Sequence, residues 1–343
     1  MDRMTNIASR PTLLVGSVAL GNAEEVLLTA GALLGGSLRA VPDGETGERI
    51  EWYMWQEQVM EQAPFLKKGN AELFGLHRYS VQGDLTNASF GKLGYADAAI
   101  ASYEIFKRLR AEGKLPPGIR FQVSLPPPIA PLSAMIDPDD YHSVEPLYER
   151  AMRSEVEAIC AAIPVGELAI QWDLAQEIAV LEGLLMLDNR VLFPDPLNDM
   201  LRRIEMLASW VPGGAALGFH LCYGDADHKH WMEPKDTRVM VDFANAIFET
   251  VARQIDWLHI PVPRDRDDDS YFQPLADLKL PSGTQLYLGL VHHTDGMEGG
   301  VRRLAAARRY VTDFGIATEC GLGRRPPETI PTVMKLMEQL ARD

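Results

Sequence analysis

Eight short apolar runs recur along the chain: Thr12–Ser17, Leu38–Pro42, Arg120–Leu125, Leu168–Asp173, Ala216–Leu221, Trp257–Pro263, Leu286–Val291 and Ile316–Thr318. They are continuous rather than alternating, as expected of strands covered on both faces. Helical spacing fills most intervals, over Ala23–Leu34, Ile50–Met60, Tyr95–Glu112, Tyr141–Ile163, Leu197–Trp210, Asp236–Gln254, Val301–Asp313 and Thr329–Ala341. Strands separated by helices form βαβ units and a parallel sheet. Eight of them in 343 residues predict one α/β domain, a (β/α)8 TIM barrel spanning residues 1–343. The structural competitor is a doubly wound open sheet, but no Gly-x-Gly-x-x-Gly follows the first run, so dinucleotide binding has no support. The segment Pro64–Lys92 fits neither period and is expected to be an inserted, irregular loop.

Charge narrows the partners. A formal net charge of −15 argues against nucleic acid, whose phosphates require a basic face. The Arg302-Arg303 and Arg308-Arg309 pairs read as a solvated helix face, and Asp265–Asp269 as a solvated loop. No apolar run is long enough to span a bilayer, and Met1–Arg10 lacks a signal-peptide core, so a cytoplasmic location and no membrane partner are expected. Three cysteines cannot make a disulfide framework. Cys160 falls in a helical run as a small buried hydrophobe. Cys222 and Cys320 instead lie at strand ends beside glycines.

In a barrel, chemistry sits at the carboxyl ends of the strands. Gly16 and Ser17 end the first run, Asp43 and Glu45 follow the second, and Gln171 and Asp173 end the fourth. His220 and Cys222 end the fifth, His259 lies in the sixth, His292-His293 end the seventh and Cys320 the eighth. His220 and Cys222, two apart on a strand, project together. With Cys320 they offer zinc an imidazole and two thiolates and leave a fourth position open. A zinc-bound thiol is deprotonated, so such a site can activate a thiol substrate. The plain alternative is two buried cysteines and a hydrogen-bonded core histidine. Asp227, His228 and His230 are a weaker metal cluster, since such a loop is usually just exposed. Asp173 and Glu45 suit a substrate ammonium, or else bond backbone N–H groups. His293 suits a general acid, or else packs under the next helix. Trp52, Tyr53 and Trp55 offer a pocket wall, though at helical spacing some of them must face the core.

These residues resemble the catalytic domain of cobalamin-independent methionine synthase. Gly218-Phe219-His220-Leu221-Cys222-Tyr223 looks like that family's zinc half-site. Glu319-Cys320-Gly321-Leu322-Gly323-Arg324-Arg325 is similar to the segment supplying its last cysteine ligand. Val15-Gly16-Ser17 resembles its first-strand substrate loop, and Glu45, in Asp43-Gly44-Glu45, matches a glutamate contacting the amino-acid substrate. Asp173, after Gln171-Trp172, matches the aspartate that holds the amino group, and His293 the histidine assigned as proton donor. The likeness spans essentially the whole chain. Alkyl-coenzyme M transferases share the His-x-Cys and distant Cys pattern, and uroporphyrinogen decarboxylase shares the barrel without this zinc site. The chain departs from the family where Pro261 stands in place of the glutamate ligand, leaving His259, Glu319 or an open position. It departs again where Leu174-Ala175 follow Asp173.

The resemblance implies a zinc-dependent methyl or alkyl transferase acting on a small-molecule thiol, with an alkyl donor as the second substrate. Asp43, Glu45, Gln171 and Asp173, with Gly16 and Ser17, would bind substrate, and His293, Asp173 and Glu45 would act in catalysis. Two alternatives compete. One is a metal-independent lyase of the uroporphyrinogen decarboxylase type, using Asp43, Glu45 and Asp173. The other is a non-catalytic binding protein with structural zinc.

Overall fold

A computed structural model describes residues 9–73, 75–184, 192–224 and 230–343, apart from the side chains of 71–73. Ten strands occur among them: β1 (Thr12–Leu13), β2 (Ala40–Pro42), β3 (Leu66–Leu73), β4 (Leu76–Val81), β5 (Arg120–Leu125), β6 (Leu168–Leu174), β7 (Ala216–Leu221), β8 (Trp257–Pro261), β9 (Gln285–Val291) and β10 (Gly315–Thr318). All but β3 and β4 join one parallel sheet in the order β1-β10-β9-β8-β7-β6-β5-β2. A parallel bridge from Thr12 to Leu38, with the Thr12 N–H donating to the Ser37 carbonyl at 3.0 Å, brings the two edges together. The ring is the expected (β/α)8 barrel.

Its interior is filled by unequal partners. Trp257 and Tyr287 cluster there with Ala40, Ala169, Ala216 and Ala317, apart from the main core. The small residues leave room for the two large rings. Gly218 is the extreme case: a Cβ there would lie 1.8 Å from the Trp257 ring. The Trp257 indole N–H donates to Gln171 Oε1 at 3.1 Å, so the plug is polar on its upper side.

Three expectations change. Pro64–Lys92 is not irregular throughout, because β3 and β4 pair as an antiparallel hairpin turning at Gly75, whose φ is +78°. Its register shifts between Lys68 and Glu72, and in β4 the buried residues Leu76 and Tyr79 come three apart. The two-residue alternation that identifies a strand is therefore absent. Arg303 is not solvated. It is fully buried, donating to the Leu290 and Arg264 carbonyls and gripping Asp295 with both terminal nitrogens. The Asp265–Asp269 loop is solvated, as expected, and its carboxylates also meet arginines: Arg266 holds Asp268, Arg302 holds Asp267 and Arg309 holds Asp269. Cys160 is half-buried, at the border of the core. No helix among the described residues is long and apolar enough to cross a membrane.

Candidate metal centre and substrate pocket

Register places the site. Asp173 pairs with His220 across β6 and β7, and His220 with His259 across β7 and β8. Parallel register puts side chains at one level on one face. The chain leaving β10 brings Cys320 to the same mouth. Ser17 holds it there: its carbonyl accepts the Leu322 N–H at 2.6 Å and its hydroxyl accepts the Gly323 N–H at 3.3 Å. Ser17 thus ties the end of the first run to the cysteine loop.

Cys320 Sγ lies 3.8 Å from Cys222 Sγ and 3.7 Å from His220 Nε2, and the three donor atoms lie within 4.8 Å of one another. Tetrahedral zinc, with Zn–S about 2.3 Å and Zn–N about 2.0 Å, needs sulfurs ~3.8 Å apart and sulfur to nitrogen ~3.5 Å. The donor set therefore fits zinc in type, and the two distances from Cys320 fit it in spacing.

The imidazole is also in the right tautomer. His259 Nε2 is 3.0 Å from the Thr318 carbonyl, which can only accept, so this nitrogen carries the proton. His259 Nδ1 is then an acceptor, and His220 Nδ1, 2.7 Å away, donates to it. His220 Nε2 is left with a free lone pair facing the sulfur. Both rings are buried. Burial, with His259 as a second cause, holds the His220 imidazole well below its usual range, and burial pushes His259 down to about 3. Both are neutral at physiological pH, as ligation requires. In this arrangement His259 uses both ring nitrogens and orients the ligand rather than joining it. Glu319 is turned away: its Oε1 meets His230 Nε2 at 2.8 Å, and its Oε2 lies 3.6 Å from His292 Nδ1. Pro261 offers only its carbonyl, which accepts from the Tyr271 hydroxyl at 2.8 Å. Asp227 and His228 lie outside the described residues, whereas His230 contacts Glu319 and Glu233.

Beside the candidate metal centre lie two coupled carboxyls, Glu45 and Asp173. Glu45 is the one non-glycine residue among those described with positive φ, at 50°. Asp43 holds that turn, accepting the Glu45 N–H at 2.9 Å on Oδ1 and Arg49 at 2.7 Å on Oδ2. The backbone-bonding role considered for Glu45 thus belongs to Asp43. A Cβ on Gly16 would come 2.7 Å from Glu45 Oε1, so glycine lets the carboxyl approach the first strand. Burial, then the Asp43 charge, pushes Glu45 up to about 7 against Arg49 and Arg324. Burial, then the Glu45 charge, holds Asp173 well above the usual carboxylate range. Gln171 Nε2 donates to Asp173 Oδ1 at 2.8 Å and to the Val15 carbonyl. Two carboxyls that resist ionising together suit a cation that can take the place of their protons.

His293 is half-buried and lines one cleft with Cys320 and Arg325. Trp55 stacks edge-on against Tyr95, while Tyr53 faces Arg324. Gln122 and Ser124 escaped the sequence analysis. Gln122 Nε2 donates to the Leu14 and Val15 carbonyls, and the Ser124 hydroxyl donates to Val15 at 3.0 Å, fixing the strand end behind Gly16. Their signal was present: polar residues two apart near the carboxyl end of a strand, as in Gln171 and Asp173.

No protein-family model and no curated protein matches this sequence. Solved structures do match. A protein described as a vitamin-B12 independent methionine synthase from Listeria monocytogenes superposes with a TM-score of 0.62 at 13% identity, over 98% of each chain. A B12-independent methionine synthase from a Shewanella species, in complex with selenomethionine, gives 0.63 at 16%, over 97% of this chain and 96% of that one. A methyltransferase from Methanosarcina mazei gives 0.55 at 13%, over 97% and 94%. The chain has their fold. At these identities the likeness concerns architecture, and it extends over nearly the full length of each neighbour.

Proposed function

We propose that this protein is a methionine-synthase-like enzyme that transfers a methyl or other alkyl group to a small-molecule thiol. The observation carrying this is the spacing of the His220, Cys222 and Cys320 donor atoms at a barrel mouth, with the His220 tautomer set for ligation. The fold neighbours, one holding selenomethionine, support the same reading. His220, Cys222 and Cys320 would hold zinc, which when bound supplies a Lewis acid that favours the thiolate form of a thiol. His259 fixes the ring of His220. Glu45 and Asp173 bind an ammonium on the acceptor and turn its sulfur toward the cysteines. Gln171 holds Asp173 in place through Oδ1. His293, on the wall beside Cys320, gives a proton to the group the alkyl leaves. Asp43, Gly16 and Ser17 shape the pocket floor.

The test is a screen of amine-bearing thiols against methylated donors, with zinc measured in the same preparation. Thiol methylation that is lost with chelator and in Cys320→Ser, without loss of fold, is expected. Purified protein free of zinc, turning over a carboxylic acid by decarboxylation, would overturn the proposal in favour of a metal-independent lyase.

A further inference from the structure

The cleft beside Cys320 has an arginine on its wall, Arg325, that alkyl transfer alone does not explain. It encloses about 330 Å3, solvent at its mouth included, and is lined by His293, Glu319, Cys320, Arg325 and Val333 among others. Its walls come from the chain after β9, the chain after β10 and the first turn of the helix Ile330–Arg342. In ring order β9 and β10 are the seventh and eighth barrel strands. Barrels of this type often bind phosphate there, between those two loops and a helix N-terminus.

Arg325 supplies the decisive detail. It is half-buried, yet its guanidinium has no ion-pair or hydrogen-bond partner among the described residues. Its neighbour Arg324 differs, lying 3.7 Å from Glu51 and over the Tyr53 ring. The His293 ring likewise has no partner among the described residues. Acidic residues outnumber lysine and arginine 48 to 33, so an unpaired arginine in a cleft is not for want of carboxylates. Glu319, the one acid on this wall, has Oε1 against His230 and Oε2 toward His292.

We propose that Arg325 and His293 form an anion subsite that takes a phosphate or carboxylate group of one substrate, with its reacting atom directed toward the cysteines. The two oxyanions share the chemistry a guanidinium fork recognises. The proposal rests on the alkyl-transfer reading for its reaction, but not for its binding test.

The test titrates the full-length protein as purified with inorganic phosphate and, separately, with acetate, by calorimetry. Wild type, Arg325→Ala and Arg325→Lys are compared, with zinc measured in each sample. Saturable binding is expected, weakened at least tenfold in Arg325→Ala and partly retained in Arg325→Lys. Preference for phosphate or acetate identifies which group the substrate carries. No saturable binding of either anion, or equal affinity in wild type and Arg325→Ala, overturns the subsite. Arginine-dependent binding in protein that holds no zinc would keep the subsite and discard the alkyl-transfer reading. The converse result would do the opposite.

Discussion

At the scale of the residue, His259 is the most informative side chain, because it acts through His220 rather than at the reaction. His259→Ala removes the acceptor for His220 Nδ1–H and leaves a buried donor unpaired. A hydrogen-bond partner that orients a ligating imidazole is worth about ten- to a hundredfold in metal affinity. Zinc affinity, read by chelator competition, is expected to fall by that factor in His259→Ala. His259→Gln keeps an acceptor and a donor and should recover part of it. Unchanged affinity in His259→Ala would mean that the ring does not orient the ligand. That His220 and Cys222 face one way was legible in the sequence, because a two-residue spacing on a strand fixes their common direction. The role of His259 was not, since it depends on which nitrogen carries the proton. That is decided by the Thr318 carbonyl, 59 positions away. Arg303 was misread for a related reason: nothing local announces that Asp295 and two carbonyls wait behind the helix.

At the scale of the element, two contacts are open to measurement. Gly218 on β7 lies under the Trp257 ring on β8, with no room for a methyl group. Gly218→Ala is expected to cost about 3 kcal/mol or more, seen as a lower urea midpoint, since backbone and indole cannot both yield. Trp257→Leu should reduce that cost in the double variant, and additive effects would argue against the clash. The second contact is on the short helix Gln176–Leu181. Glu177 is fully buried, and neither of its carboxyl oxygens has a hydrogen-bond partner among the described residues. Burial pushes it from 4.5 up to about 8. The folded state therefore binds the extra proton, and its contribution is complete below pH 4.5 and lost as pH rises through about 8. That loss is of order 5 kcal/mol at the outside. Glu177→Gln should flatten the urea midpoint over this range, and an identical slope in wild type and variant would refute the assignment. Barrel strands could be read because they are unbroken apolar runs, whereas the β3–β4 hairpin, with its shifted register, offered no period to read.

At the scale of the whole molecule, the question is what an ion held by His220, Cys222 and Cys320 would do for the barrel. His220 and Cys222 leave β7, and Cys320 follows β10, so an ion would join segments about 100 residues apart. The loop it closes is already closed by the sheet, since β7 reaches β10 through β8 and β9 by continuous parallel pairing. The interior plug of Trp257, Tyr287 and four alanines lies in a different cluster from the three ligands. An ion bound to the folded state alone adds RT ln(1 + [L]/Kd), of order a few kcal/mol, without being required for folding. Chelation should therefore lower Tm by several degrees while leaving the far-UV spectrum and the cooperative transition intact, and re-addition of zinc should restore Tm. Cys320→Ser should resemble the chelated protein and be insensitive to further chelator. If chelation instead unfolds the chain at room temperature, the ion holds the fold together, as it does in structural sites with four protein ligands. That outcome would favour a structural zinc over a catalytic one and would mean that the parallel pairing from β7 to β10 does not hold the barrel closed by itself.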